Sequence, residues 1–318
     1  MVILVTGGAG FIGSQVTKSL LERGDQVIIV DNFNNYYEPL LKEDRLNQLL
    51  AGFKPVVYRL DIADQVKLSE VFKNHKIDKI CHLAAQAGVR YSLENPGVYI
   101  KSNIIGTHNL LELAREYKIK DFVFASSSSV YGDNEKIPFA ETDVVDRPIS
   151  LYAATKKANE LEAYTYHKLF GLNVFGLRFF TVYGPWGRPD MAYFLFTKSI
   201  LSSEEIKVFN QGKMKRDFTY IDDIVAGVVK ALDRVAGYEI INLGNNQPIT
   251  LEEFIGVIEN ELGKTAKKKY DDRQPGDVIE TYADITKAKR VLDWQPSTSI
   301  KAGLKKFIGW YKSYYQVD

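Results

Sequence analysis

Short apolar runs alternate with amphipathic stretches through the first half of the chain. The runs 2–5, 27–30, 56–60, 79–83 and 121–126 have strand length and β-rich composition. Between them, the stretches near 12–22, 39–50, 64–74 and 97–116 carry apolar residues at helical spacing. Strands alternating with helices predict an α/β protein built on a doubly wound parallel sheet. A long helix over about 151–170 and a strand over 173–180 continue the pattern. From Thr181 the character changes. Thr181-Val-Tyr-Gly-Pro-Trp-Gly-Arg-Pro-Asp190 is rich in Gly, Pro and aromatics and reads as a loop. Helices are then expected near 191–202, 222–235, 250–262, 284–292 and 299–315. The last places Ile300, Leu304, Phe307, Ile308 and Tyr311 on one face and lysines elsewhere, as a helix capping a core would.

Composition adds mainly exclusions. At 318 residues, 45% hydrophobic and 25% charged, the chain is long enough for two intimately packed lobes. A net charge of +1 gives no electrostatic reason to expect nucleic acid or a membrane surface. Lys267-Lys-Lys269 reads as a solvated edge. No stretch reaches transmembrane length, and a strand beginning at residue 2 leaves no room for a signal peptide. The lone Cys81 forms no intramolecular disulfide and reads as a buried strand residue of a protein in a reducing, cytoplasmic compartment. No metal site is expected.

The first candidate chemistry lies directly after the first strand. Gly7, Gly8, Gly10 and Gly13 satisfy both G-x-G-x-x-G (8, 10, 13) and G-x-x-G-x-x-G (7, 10, 13), and a helical pattern follows. A strand, a glycine turn and a helix N-terminus form a pyrophosphate cradle, because backbone N–H groups approach the anion where no Cβ intrudes. The second strand ends in Asp31, 18 residues after Gly13. An acid there suits the ribose hydroxyls of NAD, and no Arg follows at once to receive a 2′-phosphate. The pattern predicts the dinucleotide-binding half of a Rossmann-type sheet.

Tyr-x-x-x-Lys occurs at Tyr152/Lys156 and again at Tyr164/Lys168. Four-residue spacing puts both side chains on one helical face. A nearby ammonium favours the phenolate, so a tyrosine of ordinary pKa ~10 can act as a base near neutrality. Tyr164 lies about 18 Å along the same helix and roughly 120° round it, so it cannot share the site and reads as structural. The strand 121–126 runs into Ser126-Ser-Ser-Ser129. Ligands of open α/β sheets bind beyond the carboxyl ends of strands, where these hydroxyls could meet a sugar.

With these residues assembled, the chain resembles the extended short-chain dehydrogenase/reductase family over essentially its whole length. The specific stretches are His82-Leu-Ala-Ala-Gln-Ala-Gly-Val-Arg-Tyr-Ser92, Ser126-Ser-Ser-Ser-Val-Tyr-Gly132, Leu151-Tyr-Ala-Ala-Thr-Lys-Lys157, Leu177 through Met191, and Arg216-Asp-Phe-Thr-Tyr-Ile-Asp-Asp223. Within that family it looks like the NAD-dependent UDP-glucuronate 4-epimerases. The resemblance implies Tyr152 as base, Lys156 as its partner and Ser127 as the hydroxyl that bonds the reacting O4. It implies Gly7, Gly10, Phe11, Ile12, Gly13, Asp31, Asn32, Asn34, Asp61, Ile62, Leu83, Ala84, Ala85, Gln86, Asn103 and Phe179, with Tyr152 and Lys156, as positions lining NAD. Around the nucleotide sugar it implies Arg90, Ser127, Ser128, Ser129, Tyr152, Thr181, Arg188, Met191, Val208, Phe209, Arg216, Gln274 and Asp277. Arg216 would suit a diphosphate clamp.

The implied reaction interconverts UDP-glucuronate and UDP-galacturonate by reversible hydride transfer at C4, through a 4-keto sugar, with NAD tightly held and not consumed. The implied organisation is a cofactor domain over 1–180, rejoined by about 217–244, and a smaller C-terminal α/β domain over 181–318 for the UDP-sugar. A homodimer is expected by analogy, through helices near 97–116 and 151–170. Family dehydratases carry Asp-Glu directly after the catalytic Ser/Thr, and family decarboxylases a Glu at the second position. Here Ser128 and Ser129 stand there. UDP-galactose 4-epimerases typically have Asn where Thr181 stands. A neutral-hexose 4-epimerase and a non-catalytic NAD-sensing protein on the same fold remain the alternatives. The 4-keto form of a uronate is a β-keto acid prone to lose CO₂. Ser128, Ser129 and Thr181 are expected to hold the carboxylate out of the geometry that permits this loss.

Overall fold

The computed structural model describes residues 1–272 and 280–318. The chain opens with β1 (Val2–Thr6), α1 (Phe11–Glu22), β2 (Gln26–Asp31) and α2 (Pro39–Asp44), then a π-helical turn (Arg45–Leu49). It continues through β3 (Val56–Arg59), α3 (Gln65–Asn74) and β4 (Lys79–His82). Two short helices, α4 (Tyr91–Glu94) and α5 (Pro96–Tyr99), lead through a second π-helical turn (Ile100–Ile105) into α6 (Gly106–Glu116). Next come β5 (Asp121–Ser127), a 3₁₀ turn (Ser128–Tyr131), α7 (Leu151–Phe170) and β6 (Asn173–Phe179). The remainder is β7 (Thr181–Tyr183), α8 (Ala192–Leu201), β8 (Glu205–Phe209), β9 (Lys215–Tyr220), α9 (Ile221–Arg234), β10 (Tyr238–Leu243), β11 (Pro248–Thr250), α10 (Leu251–Leu262), β12 (Lys267–Asp271), β13 (Glu280–Thr281), α11 (Thr286–Leu292) and α12 (Ile300–Tyr315).

Seven parallel strands form the main sheet, in the order β10-β6-β5-β4-β1-β2-β3. The doubly wound α/β fold is therefore as the alternation implied. Both faces of the sheet are covered, which explains why its strands read as unbroken apolar runs. Ile3, Val5, Val27, Ile29, Cys81 and Val123 face one buried layer, while Leu4, Ile28, Val30, Ile80, Phe122 and Phe124 face the other. Each such side chain contributes about 1.5–3 kcal/mol by leaving water. Cys81 is buried, and burial pushes its thiol up to about 12, so it stays protonated and inert. His82, the last residue of β4, links β1 to α6. Its Nδ1 lies 2.7 Å from Thr6 Oγ1 and its Nε2 2.9 Å from Thr107 Oγ1. Burial, and then the charge of Lys156, push it down to about 3, so the ring is neutral.

The second half departs from the sequence expectation by its strands. Residues 181–190 are not all loop, because Thr181–Tyr183 form β7 and pair in parallel with β9. β9 also pairs with β11 and β13, and β8 pairs with β12. These strands escape a pattern search because they are short or charged: β9 begins Lys-Arg-Asp and β12 reads Lys-Lys-Lys-Tyr-Asp. Tertiary pairing overrides weak local propensity there. Lys267 and Lys269 are exposed on the edge strand β12, while Lys268 reaches Glu252 and Glu259 at 2.7 and 3.3 Å. α9 packs on α1 and β10 completes the main sheet beside β6, so the chain returns to the large sheet after β9. α12 buries Leu304, Phe307, Ile308 and Tyr311, as its spacing implied. Among the described residues, no helix is long and apolar enough to cross a membrane, and no His/Cys/Asp/Glu group could hold a metal ion.

Candidate active site

One cavity of about 440 Å³ runs beyond the carboxyl ends of β1, β2, β4, β5 and β6. It is lined by Gly7, Gly10, Phe11, Ile12 and Gly13 at one end and by Ser127, Ser128, Ser129, Tyr152, Thr181, Arg188 and Met191 at the other. Asp31, Asn32, Asn34, Asp61, Ile62, Leu83, Ala84, Ala85, Gln86, Lys156 and Phe179 line the space between.

The glycine turn separates the two overlapping motifs. Gly7 has φ +72°, and a Cβ there would lie 2.7 Å from Ala84 N. At Gly13 a Cβ would meet the Gly7 carbonyl oxygen at 2.0 Å. Gly7, Gly10 and Gly13 face the cavity, whereas Gly8 is packed on Ile29, where a Cβ would come to 2.7 Å. The 7-10-13 pattern is thus the one that opens the cradle. Gly10 caps α1 without a side-chain hydrogen bond, so the first amides of the helix remain available to an anion. Asp31 accepts from Ala9 N at 3.0 Å and from Phe33 N at 2.9 Å. Each carboxylate oxygen keeps a second lone pair for a ribose hydroxyl. Backbone donors, a cradle without Cβ atoms and an acid at the end of β2 fit NAD.

Several further cavity-lining residues carry no local sequence signal, among them Lys42, Tyr36 and Tyr37. Lys42 donates to Asn34 O and Asn34 Oδ1 at 2.6 and 2.8 Å, shaping the turn after β2. Tyr36 and Tyr37 stand beside it. Only the folded chain brings them to the cavity. Asn103 does not line it. Its side chain accepts from Gln86 N at 2.8 Å and donates to Gln86 O at 3.0 Å, holding the backbone that does.

At the other end, α7 presents the Tyr/Lys pair. Ser150 caps the helix by accepting from Ala153 N at 3.1 Å, and Gly171 ends it at φ 68°. Tyr152 therefore sits in the first turn, with its ring 6.1 Å from that of Tyr99. Burial pushes its phenol up, while a Ser127 hydrogen bond and the charge of Arg188 act downward. Lys156 Nζ donates to Ala125 O at 2.8 Å. Ser127 Oγ accepts from Ser129 N at 3.1 Å, and its hydroxyl is the hydrogen-bond partner of the Tyr152 phenol. Of the four serine hydroxyls, Ser126 is turned away. It donates to Glu160 Oε1 at 2.7 Å, and Glu160 also pairs with Arg178 through two bonds of 2.8 Å. Lys168 lies 5.5 Å over the Tyr164 ring, away from the cavity, so the second Tyr/Lys pair is a surface contact.

Some expected sugar contacts fall outside this cavity. Arg90 lies over the Phe209 ring at 5.8 Å, and Val208 is fully buried in β8. Neither residue, nor Phe209, lines the cavity, and Val208 points into the core from β8. Arg216 is on β9, two residues before Phe218, which pairs with Thr181. Its guanidinium donates to Lys215 O at 2.9 Å. Gln274 and Asp277 lie outside the described residues.

Burial pushes Lys156 down to about 8, opposed by Glu160. Activity is expected to fall as pH rises through about 8, where the ammonium is lost. Stability responds with the opposite sign. Between about 8 and the ordinary lysine value of 10.5 the unfolded chain binds this proton and the native one does not, so the Lys156 contribution to stability rises with pH. Parallel pH profiles of rate and melting temperature check this. Activity that holds level well above the Lys156 titration would refute it.

A glycine cradle, an acid closing β2 and a Tyr–Lys–Ser group beneath one sheet edge define a dinucleotide-dependent enzyme acting on a hydroxylated substrate. The chain belongs to the NAD dependent epimerase/dehydratase family, whose model matches residues 3–244. It is 49% identical over 310 residues to the UDP-glucuronate 4-epimerase of Thermodesulfobacterium geofontis, covering 97% of this chain and 95% of that one. The UDP-glucuronic acid 4-epimerase of Bacillus cereus, solved with UDP-glucuronic acid and NAD, superposes with a TM-score of 0.91 at 36% identity and covers 99% of this chain and 100% of its own. The UDP-glucose 4-epimerase of Thermotoga maritima, solved with UDP-glucose, also has a TM-score of 0.91, at 33% identity and the same coverage.

Proposed function

We propose that this protein interconverts UDP-glucuronate and UDP-galacturonate at C4. The observation that carries the reading is the polar end of the cavity: Ser127, Ser128, Ser129 and Thr181 gather beside Tyr152, and no carboxylate stands at 128 or 129. Gly7, Gly10, Gly13 and Asp31 would hold NAD, which when bound supplies a reversible two-electron acceptor beside the sugar. Tyr152 Oη takes the proton from O4 as the alcohol becomes the 4-keto form and returns it when the alcohol is restored. The Ser127 hydroxyl donates to O4 and fixes it against Tyr152. The Lys156 charge favours the phenolate and orients a cofactor ribose. Ser128 and Ser129 stand where an acid would move a proton at C5 or C6, which favours epimerisation as the outcome.

Ser128, Ser129 and Thr181 suit a C6 carboxylate, which accepts charge-assisted hydrogen bonds from hydroxyls. Arg188 and Met191 frame the same end, and Arg216 is assigned to the diphosphate. The relatives named for UDP-glucuronate, one at 49% identity, support the uronate over the neutral hexose. The test is incubation with UDP-glucuronate, UDP-glucose and UDP-xylose without added NAD, followed by sugar analysis. UDP-galacturonate should form from the first, and a preference for UDP-glucose would overturn the assignment. Thr181→Ala and Ser129→Ala are expected to bind UDP-glucuronate more weakly and to release some pentose product. Unchanged affinity with no pentose in either variant would sink their role.

We assign residues 1–180 and the return through α9 and β10 to the cofactor half, and the remainder to the sugar half. We also propose a homodimer through the α6–α7 face. Leu161 and Leu169 on α7 are 58% and 68% exposed, an apolar load that pairing across a two-fold axis would cover.

A further inference from the structure

Tyr36, in the stretch after β2, joins three loops that line the cavity. Its hydroxyl donates to Asp190 Oδ2 at 3.0 Å. Asp190 in turn holds Arg188, which donates from Nε at 3.0 Å and from Nη2 at 2.6 Å. The Tyr36 ring lies 4.8 Å from Tyr91 and 5.9 Å from the Arg188 guanidinium. The same hydroxyl overhangs Gly88, where a Cβ would come within 2.5 Å. Tyr36, Gly88 and Arg188 all face the cavity.

We propose that Tyr36 is a positioning residue: by anchoring Asp190 it fixes the direction in which Arg188 enters the sugar end of the cavity. The proposal rests on Arg188 being a sugar contact, as the functional reading holds. An arginine side chain has about 2 kcal/mol of rotamer entropy to lose, so a free Arg188 would sweep many directions. A bidentate carboxylate removes that freedom only if the carboxylate is itself fixed. Asp190 lies on the exposed rim of a loop, and Tyr36 supplies its anchor from the opposite half of the molecule. Burial, and next the charge of Asp190, push the Tyr36 phenol up, so it remains a donor over the working pH range.

The loop backbone is held separately. Arg45 is fully buried and donates to Trp186 O at 3.0 and 2.7 Å and to Gly187 O at 3.2 Å. On its other side it donates to Ala9 O of the glycine turn at 3.1 Å. Removing the Tyr36 hydroxyl therefore frees the Asp190–Arg188 pair without releasing the loop.

The experiment uses the full chain loaded with NAD. Tyr36→Phe is expected to raise KM for UDP-glucuronate about tenfold, the scale of one hydrogen bond to a charged group, with kcat within about twofold. Its affinity for UDP alone should be unchanged, a split that a general loss of structure would not produce. Asp190→Asn should give a similar shift, and the double variant should be no worse than the stronger single one, because both act through one contact chain. An unchanged KM in an active Tyr36→Phe protein, an equal loss of UDP affinity, or additive effects would overturn the role of Tyr36 alone. A wild-type chain inactive on every UDP-sugar would overturn the functional reading, and this role with it.

Discussion

Tyr152→Phe is expected to lower kcat on UDP-glucuronate by about 10²–10⁴-fold, the range lost when a positioned acid–base group is removed. That corresponds to about 3–5 kcal/mol of barrier. The substitution deletes one oxygen and keeps the ring, which packs edge-on to Tyr99 at 6.1 Å. Fold, cofactor retention and UDP affinity should therefore stay near wild type. Ser127 cannot take over the proton, because its alcohol is a far weaker acid than a phenol and its oxygen already accepts from Ser129 N. Lys156 cannot either while it is an ammonium, which has no lone pair to accept a proton. Initial rates of UDP-galacturonate formation, set beside the absorbance of bound cofactor, decide the matter. A variant retaining most of its activity would remove Tyr152 from the mechanism.

The second large effect is expected at Gly13→Ala, where the obstacle is backbone. An added Cβ would stand 2.0 Å from the Gly7 carbonyl oxygen and 3.0 Å from Gly8 Cα. No rotamer relieves such a contact, so the turn must open or α1 must move off β1. Overpacking of this kind costs about 1–3 kcal/mol and sometimes more. The moving atoms are the ones that would cradle a pyrophosphate. The variant should purify without bound NAD and melt at lower temperature, and added NAD should restore little of either loss. Cofactor content after purification and a thermal melt with and without NAD check this. A variant that keeps its NAD would show that the cradle tolerates a side chain.

Much of this was legible because the carriers are local patterns. A buried parallel strand needs apolar residues on both faces, and that need alone marked the first six strands of the sheet. The glycine turn and the Tyr152/Lys156 pair each lie within a few residues, so their spacing is readable directly. Tyr36 is different: it meets its partner Asp190 across 154 positions of chain, and nothing near Tyr36 announces the contact. Lys42 serves the cavity by folding back on Asn34, which resembles any surface helix lysine until the turn is seen. The serine run looked like four equivalent hydroxyls. Strand alternation sends Ser126 to Glu160 and leaves Ser127 facing the cavity. The second-half strands were hidden because charged residues such as Lys215 and Lys267 occupy positions that only pairing makes strand-like.

The placement of β10 beside β6 bears on how the chain reaches its native state. β6 ends at Phe179, yet the strand that covers its outer edge begins at Tyr238. Until ribosomal synthesis has passed that point, the nascent cofactor half carries a bare parallel edge, with β6 reading Asn-Val-Phe-Gly-Leu-Arg-Phe. Such an edge is an invitation to intermolecular pairing. A genetic truncation near residue 180 would make that transient exposure permanent. Insoluble product from such a truncation would reflect a missing neighbour strand and not an intrinsic instability of the nucleotide cradle.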